Sequence, residues 1–258
     1  MQVASLKIFV RVVVFGLVLG ASSAALADTV AITSVTITNL QFNPATGTAV
    51  FTPTGVDARA NASNSFGQTV NNVTNTFPFT TAQAAVPFAS AFGSATAGNN
   101  SLVGITLAQV GGCSCTGASF SIANLTGTLV ISGGQGSVDV TISGLLSQIR
   151  DIQTDQFGVL AESEVLFDIF VNGVSVFSVE SLIPLSGPNL LARVDQINEI
   201  SRTITLQFGA VNTIDFRLQP RSLAVESEVP EPATVVLLIS GLGFMGGVVK
   251  KRRNAKRR

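Results

Sequence analysis

The sequence has 258 residues, of which 46% are hydrophobic and 12% are charged, and its formal net charge is zero. It contains no histidine, no tryptophan and no tyrosine. The missing histidine excludes Ser-His and Cys-His nucleophile pairs and removes the commonest metal ligand. The missing tryptophan and tyrosine are the side chains that dominate binding hot spots, so the seventeen phenylalanines are expected mainly in the core.

The N-terminal segment, residues 1–27, has the order of regions found in a cleaved signal peptide. Positive residues precede an apolar core at 12–20, and small residues then lead to Ala25 and Ala27. This order predicts export through the secretion translocon and cleavage by signal peptidase after Ala27. An uncleaved membrane anchor is the alternative interpretation, and the small-residue stretch favours cleavage.

We expect the region from 28 to 225 to form the exported domain, between the signal peptide and a C-terminal segment at 226–258. Across 28–229, fourteen acidic residues against six arginines and no lysine give a net charge of about −8. An acidic surface argues against nucleic acid as a partner, because proteins that bind nucleic acid are usually basic. The length fits one all-β domain of generous size or two small ones.

The first half of this region predicts strands and turns. A strand is expected at 30–37, with 48–51 pairing to it across a turn at Asn43 and Pro44. The stretch 57–100 is rich in asparagine, threonine and alanine and is interpreted as short edge strands and long loops. Alternation of apolar and polar residues predicts a half-buried strand at 138–142. Further strand-like runs lie at 102–107, 119–122 and 128–131.

The second half contains the strongest local signal, a hairpin of 165–171 and 174–179 joined by Asn172-Gly173. Asn-Gly supplies the two positive φ values of a type I′ turn. A second hairpin is expected between 203–208 and 213–218, and 145–152 is interpreted as one or two amphipathic helical turns. Strands at this spacing, with turns between them, predict an antiparallel β-sandwich.

The two cysteines, Cys113 and Cys115, lie in a glycine-rich turn. Two cysteines in an oxidising compartment are normally bonded, so a local disulfide is predicted. Reduced or intermolecular cysteines are the first alternative. A metal or redox role is the second, although such sites usually need Cys-x-x-Cys pairs or nearby histidine.

Four carboxylates precede the predicted hairpin: Asp151, Asp155, Glu162 and Glu164. Oxygen ligands of this kind can hold calcium, but their spacing matches no EF-hand loop. Paired carboxylates can also catalyse glycoside hydrolysis. The third interpretation is a solvated acidic edge that blocks pairing between sheets. No cofactor is predicted.

The C-terminal segment contains three elements in a defined order. Pro230-Glu231-Pro232 is followed by an uncharged run of seventeen residues, 233–249, and then by Lys250, Lys251, Arg252 and Arg253. As a helix the run would be about 25 Å long, close to the lower limit for crossing a bilayer. Positive charge is retained on the cytoplasmic side, so the domain is expected on the periplasmic side of the inner membrane.

This tail resembles the PEP-CTERM sorting signal, through the tripeptide, the thin apolar helix and the basic tip in that order. The resemblance implies recognition by an exosortase, an integral membrane transpeptidase that cuts near the Pro-Glu-Pro of exported proteins in bacteria that make exopolysaccharide. An ordinary single-span anchor is the alternative. The resemblance covers about thirty residues.

Three functions follow as hypotheses. The leading one is a non-enzymatic exported protein with a structural role at the cell surface or in an exopolysaccharide matrix such as a biofilm. The second is a calcium-assisted module that binds polysaccharide or mediates adhesion, and the third is a secreted carboxylate-dependent glycoside hydrolase. Binding of the purified domain to extracellular polysaccharide separates the first two.

Overall fold

The structure, a computed structural model, describes residues 29–97, 100–111, 114–155 and 158–226. These residues form twelve β-strands and no helix. The strands are β1 Thr29–Pro44, β2 Thr48–Asn64, β3 Thr69–Thr74, β4 Phe79–Val86, β5 Ala89–Thr96, β6 Ser101–Val110, β7 Thr116–Ser132, β8 Ser137–Gln153, β9 Gly158–Val171, β10 Val174–Ser186, β11 Leu191–Gln207 and β12 Val211–Glu226.

The strands pair into two six-stranded antiparallel sheets that face each other. Sheet A has the order β11-β8-β1-β6-β5-β4, and sheet B has the order β10-β9-β12-β7-β2-β3. Buried and exposed residues alternate along β7, β8 and β12, which is the period of a strand with one face in a core. The predicted all-β class with antiparallel sheets is confirmed.

The main core lies between β8, β9, β12 and β7. Its largest members that are fully buried include Leu125, Ile142, Phe167 and Phe216. The half of the molecule that holds β4 and β5 is packed with alanine instead, for example Ala60 against the β4–β5 hairpin. Small side chains let the sheets approach closely there, while leucine and phenylalanine hold them further apart at the other half.

The twelve described strands run alternately in opposite directions, so the last strand ends at the end of the sandwich where the first strand begins. Thr29 at the start of β1 pairs with Val110, and Val225 near the end of β12 pairs with Thr116. Both chain ends of the described domain therefore lie at one end of the sandwich, which we call the terminal end. The opposite end, with the β9–β10 turn, is called the distal end.

The β9–β10 hairpin is confirmed. Asn172 and Gly173 have φ values of 52° and 79°, and Val171 pairs with Val174 across the turn. The turn is also tied to β12, because the side-chain oxygen of Asn172 accepts a hydrogen bond of 2.9 Å from the backbone N–H of Thr213. Positive φ at both central residues is the requirement that Asn-Gly meets.

Two other predicted hairpins are wrong in their pairing. The runs at 30–37 and 48–51 are strands, but β1 belongs to sheet A and β2 to sheet B. The runs at 203–208 and 213–218 are likewise divided between β11 in sheet A and β12 in sheet B. Each connection crosses between the sheets, so the apolar faces of successive strands meet across the core instead of lying side by side.

The helical interpretation of 145–152 is also wrong. These residues belong to β8, where Leu146, Gln148, Arg150 and Ile152 all point inward. In the stretch 57–100 the predicted edge strands are present, since β3 and β4 end their sheets. The long loops are not, because β4 and β5 are joined by a tight turn.

Candidate functional site

The terminal end holds the first and last described residues together. The backbone N–H of Thr29 donates to Oε1 of Glu226 at 3.2 Å, and its hydroxyl donates to Oδ1 of Asp155 at 3.3 Å. The backbone N–H of Glu226 donates to the carbonyl of Cys115 at 3.1 Å. All four residues are buried. The carboxylate of Glu226 therefore fastens the start of β1 to the end of β12, and the carboxylate of Asp155 fastens it to the turn between β8 and β9.

The four candidate calcium ligands are not brought together. Asp151 lies on the outer face of sheet A, on β8, whereas Glu162 and Glu164 lie on the outer face of sheet B, on β9. Asp155 is buried in the turn between those strands. Within the described ranges, no group of three or more Asp, Glu, His and Cys residues is placed to hold a metal ion.

The same placement bears on the other two interpretations of these carboxylates. β8 and β9 are interior strands of their sheets, so they do not form an acidic sheet edge. Glu164 lies 3.6 Å from Nη1 of Arg221 on β12, an exposed pair that adds little stability. The two outer faces of a sandwich are too far apart for Asp151 and either of these glutamates to act on one glycosidic bond.

Cys115 is 2% exposed and packs against Ala108, Val110 and Ala224. It begins the run into β7 and contributes to the closure of the terminal end through its carbonyl oxygen. Cys113 lies outside the described residues. The disulfide between the two cysteines therefore stays a prediction.

Arg150 is the residue that sequence reasoning missed. It is 1% exposed and crosses from β8 to the other sheet, where Nη1 donates to the carbonyl of Ser181 at 2.9 Å and to that of Ser163 at 3.5 Å. Nε donates to Oε1 of Gln148 at 3.1 Å, and Nη2 donates to the same oxygen. Within the described chain no carboxylate pairs with Arg150. Desolvation lowers the pKa of its guanidinium below the ordinary value.

A chain of hydroxyl groups continues this polar bridge. Thr33 on β1 shares hydrogen bonds with Ser163 on β9 at 2.6 Å and with Ser222 on β12 at 2.9 Å. Ser222 shares another with Thr106 on β6 at 2.8 Å. Buried polar groups are costly unless they are satisfied, and here they satisfy one another across the sheets. The bridge therefore acts as a structural crosslink that fixes how the two sheets face each other.

A shallow depression lies at the terminal end, beside the β4–β5 turn. Its lining includes Val86, Phe88, Leu107 and Gln109. None of the residues that line it is charged. Its surface suits an apolar contact and offers no acid–base pair.

Comparison with known proteins locates the sorting signal. The family model described as a PEP-CTERM protein-sorting motif matches residues 228–253, which include Pro230-Glu231-Pro232 and the basic residues Lys250 to Arg253. No curated protein matches the chain. The motif indicates an exported protein that is processed at the membrane by an exosortase-type enzyme.

The addressing segments themselves lie outside the described residues. These are Ala25 and Ala27 with the signal peptide, and 227–258 with the Pro-Glu-Pro, the predicted membrane segment and the basic tip. Within the part that is described, no helix is long and apolar enough to span a bilayer. Cleavage after Ala27 and insertion of 233–249 stay predictions.

Proposed function

We propose that this chain is a non-enzymatic structural protein of the cell surface or extracellular matrix. In this proposal the translocon exports it and signal peptidase removes residues 1–27. The segment 233–249 then holds it in the inner membrane with the domain in the periplasm. Exosortase-type cleavage near Pro230-Glu231-Pro232 completes its delivery to an exopolysaccharide matrix or biofilm.

The observation that carries the proposal is where the last described strand ends relative to the sorting motif. β12 pairs with β7 between Val211 and Val225, apart from Gln219 and Pro220, and with β9 from Ile214 to Glu226, where it ends. The sorting motif begins two residues later, at 228. A cut near 230–232 therefore removes no described strand and no core residue, so the domain can be released intact.

A structural role is supported by how the polar residues are used. Asp155 and Glu226 close the terminal end, and Arg150 joins the two sheets. The four carboxylates considered for calcium or catalysis are distributed over two faces and a buried turn. Asp155, Glu226 and Arg150 are therefore used to hold the fold together.

Processing is tested by changing Pro230-Glu231-Pro232 to three alanines in the full-length chain. Wild-type protein should leave the inner membrane and lose its C-terminal segment, as read by fractionation and intact mass. The triple-alanine chain should stay full-length in the inner membrane, whereas the neighbouring change Ser227→Ala should behave like wild type. A surface form that still ends at Arg258 would show a plain membrane anchor.

The matrix role is tested separately. Exopolysaccharide from the producing cells is incubated with the released domain, with and without a calcium chelator, and sedimented. Retention of the domain with the polysaccharide, together with a weaker matrix in a deletion strain, supports the structural role. An unchanged matrix in the deletion strain contradicts it, and chelator-sensitive retention would favour the calcium-assisted module instead.

A further inference from the structure

Four strands end the two sheets, and three of them are protected against pairing with another chain. β3 has six residues and β4 has eight, so both are short. β10 contains Pro184, which lacks a backbone N–H, and its register with β9 shifts between Ser175 and Phe177. Short length, proline and bulges are three of the devices that keep a sheet edge from recruiting another strand.

β11 has none of these devices. It runs for seventeen residues without proline or glycine, and its register with β8 is continuous from Leu191–Gln153 to Gln207–Ser137. It is the last strand of sheet A, so one side of its backbone has no neighbouring strand among the described residues. Leu191 is 70% exposed and Ile197 is 67% exposed. A long, unbroken and accessible edge of this kind is a template for strand addition.

We propose that the free edge of β11 pairs antiparallel with β11 of a second copy, in a register centred on Gln196. Arg193 of each copy then lies opposite Glu199 of the other, and the overlap runs from Leu191 to Ser201. Sheet A of one copy continues into sheet A of the other as one twelve-stranded sheet.

The charges on β11 and the length of the overlap together select this register, because centring on Val194 would pair Arg193 with Asp195 but shorten the overlap to Leu191–Ile197. Arg193 and Glu199 are both exposed, and both lie on the outer face of sheet A. Neither forms an ion pair with another described residue, although Arg193 lies across from Asp151 on β8. The antiparallel register gives two Arg–Glu pairs by symmetry. Moving the centre to Ile197 would instead place Asp195 opposite Glu199, and like charges opposite each other are destabilising.

A second copy is favoured over an unrelated strand because the match is between β11 and itself. The apolar pairing is also self-consistent, since Ala192 lies opposite Ile200 on the inner face. This inference does not depend on the matrix role. It predicts a symmetric dimer that would also form on released protein.

The test is a charge swap on the released domain 28–229, which contains every described strand together with all of their pairings. Wild-type protein should dimerise with increasing concentration in sedimentation equilibrium. Arg193→Glu or Glu199→Arg alone places like charges opposite each other twice and should weaken the dimer about tenfold or more. The double variant restores both pairs and should return to within about threefold of wild type.

The matched control is Arg202→Glu. Arg202 is an exposed arginine on the same strand, but in this register it lies opposite the uncharged Leu190, so its dimer affinity should stay close to wild type. A wild-type domain that remains monomeric at the highest concentration would overturn the proposal. Equal weakening by Arg202→Glu, or failure of the double variant to recover, would overturn the register.

A cross-link in the full-length chain covers the case in which a charge variant does not fold. Gln196 is exposed and lies opposite itself in the proposed dimer, so Gln196→Cys should give a dimer with a short bismaleimide, above the wild-type background. Thr205→Cys is the control, because the two copies of Thr205 would be roughly 60 Å apart. Equal cross-linking at both positions, or none at Gln196→Cys, refutes the pairing.

Discussion

Gly93 is where the close approach of the two sheets can be tested by one methyl group. It lies on β5 and faces sheet B, and its φ is compatible with any L-residue. A Cβ at this position would lie 2.7 Å from the carbonyl oxygen of Ile122 and 2.9 Å from that of Arg59. Both atoms are backbone, so neither can move aside by changing a rotamer.

The cost of Gly93→Ala follows from these distances. Ordinary contact begins at 3.4 Å, so the new methyl group is at least half an ångström too close to both strands of the facing sheet. Overpacking of this kind costs about 1–3 kcal/mol. Replacing glycine also restricts the unfolded chain and returns about 0.4–1 kcal/mol. The middle of each range gives a net loss of about 1.3 kcal/mol, which for a domain of this size lowers the melting temperature by about 3–5 °C.

The control is Gly55→Ala on β2. A Cβ there would meet only Thr126, at 4.0 Å, so there is no steric cost. The only remaining effect is the restriction of the unfolded chain, so stability should stay the same or rise slightly. Thermal melts of the released domain, followed by far-ultraviolet circular dichroism, compare the two variants with wild type. Equal melting temperatures for Gly93→Ala and Gly55→Ala would refute the close approach of β5 to β2 and β7.

Three further outcomes are expected. Gly173→Val should destabilise the β9–β10 hairpin by about 1–3 kcal/mol, because φ at this position is 79°. Gly173→Asn is the control and should be better tolerated. An unchanged melting temperature for the valine variant would contradict the turn. Arg150→Ala should lower the free energy of unfolding, measured in urea, by about 2–5 kcal/mol. The change leaves a cavity and removes the hydrogen-bond donor to the carbonyl of Ser181 and to the amide oxygen of Gln148. An unchanged free energy of unfolding would contradict the role of Arg150 as a crosslink between the sheets. The intact mass of exported protein should correspond to an N-terminus at Asp28, and a mass that retains Met1 would contradict cleavage after Ala27. Before reduction, neither Cys113 nor Cys115 should be alkylated, and alkylation of both thiols would contradict the disulfide.

Local sequence patterns predicted much of the secondary structure. Alternation at 138–142 identified a half-buried strand, and Asn172-Gly173 identified a turn, because both features depend on neighbouring residues alone. The run 145–152 was misread as helical. Read with period two, Gln148 and Arg150 fall in phase with Leu146 and Ile152, and that phase was the one signal that could have revealed a buried arginine.

The order of the tail and the β class were determined by the sequence itself. The sorting motif is a linear signal whose tripeptide, apolar run and basic tip are consecutive, so no folding is needed to recognise it. Alternating apolar residues likewise indicate that a strand has one face in a core, whichever strand it pairs with.

The tertiary structure decided which strands share a sheet and therefore which side chains meet. Alternation specifies a buried face but not a hydrogen-bonding neighbour, so β1 and β2, which are adjacent in sequence, were assigned to one hairpin and lie in different sheets. The same division placed Asp151 and Glu162 on opposite outer faces, and it brought Thr29 to Glu226 across 197 positions of chain. Those choices depend on how much apolar surface each pairing buries across the whole domain, which is a property of the assembled fold.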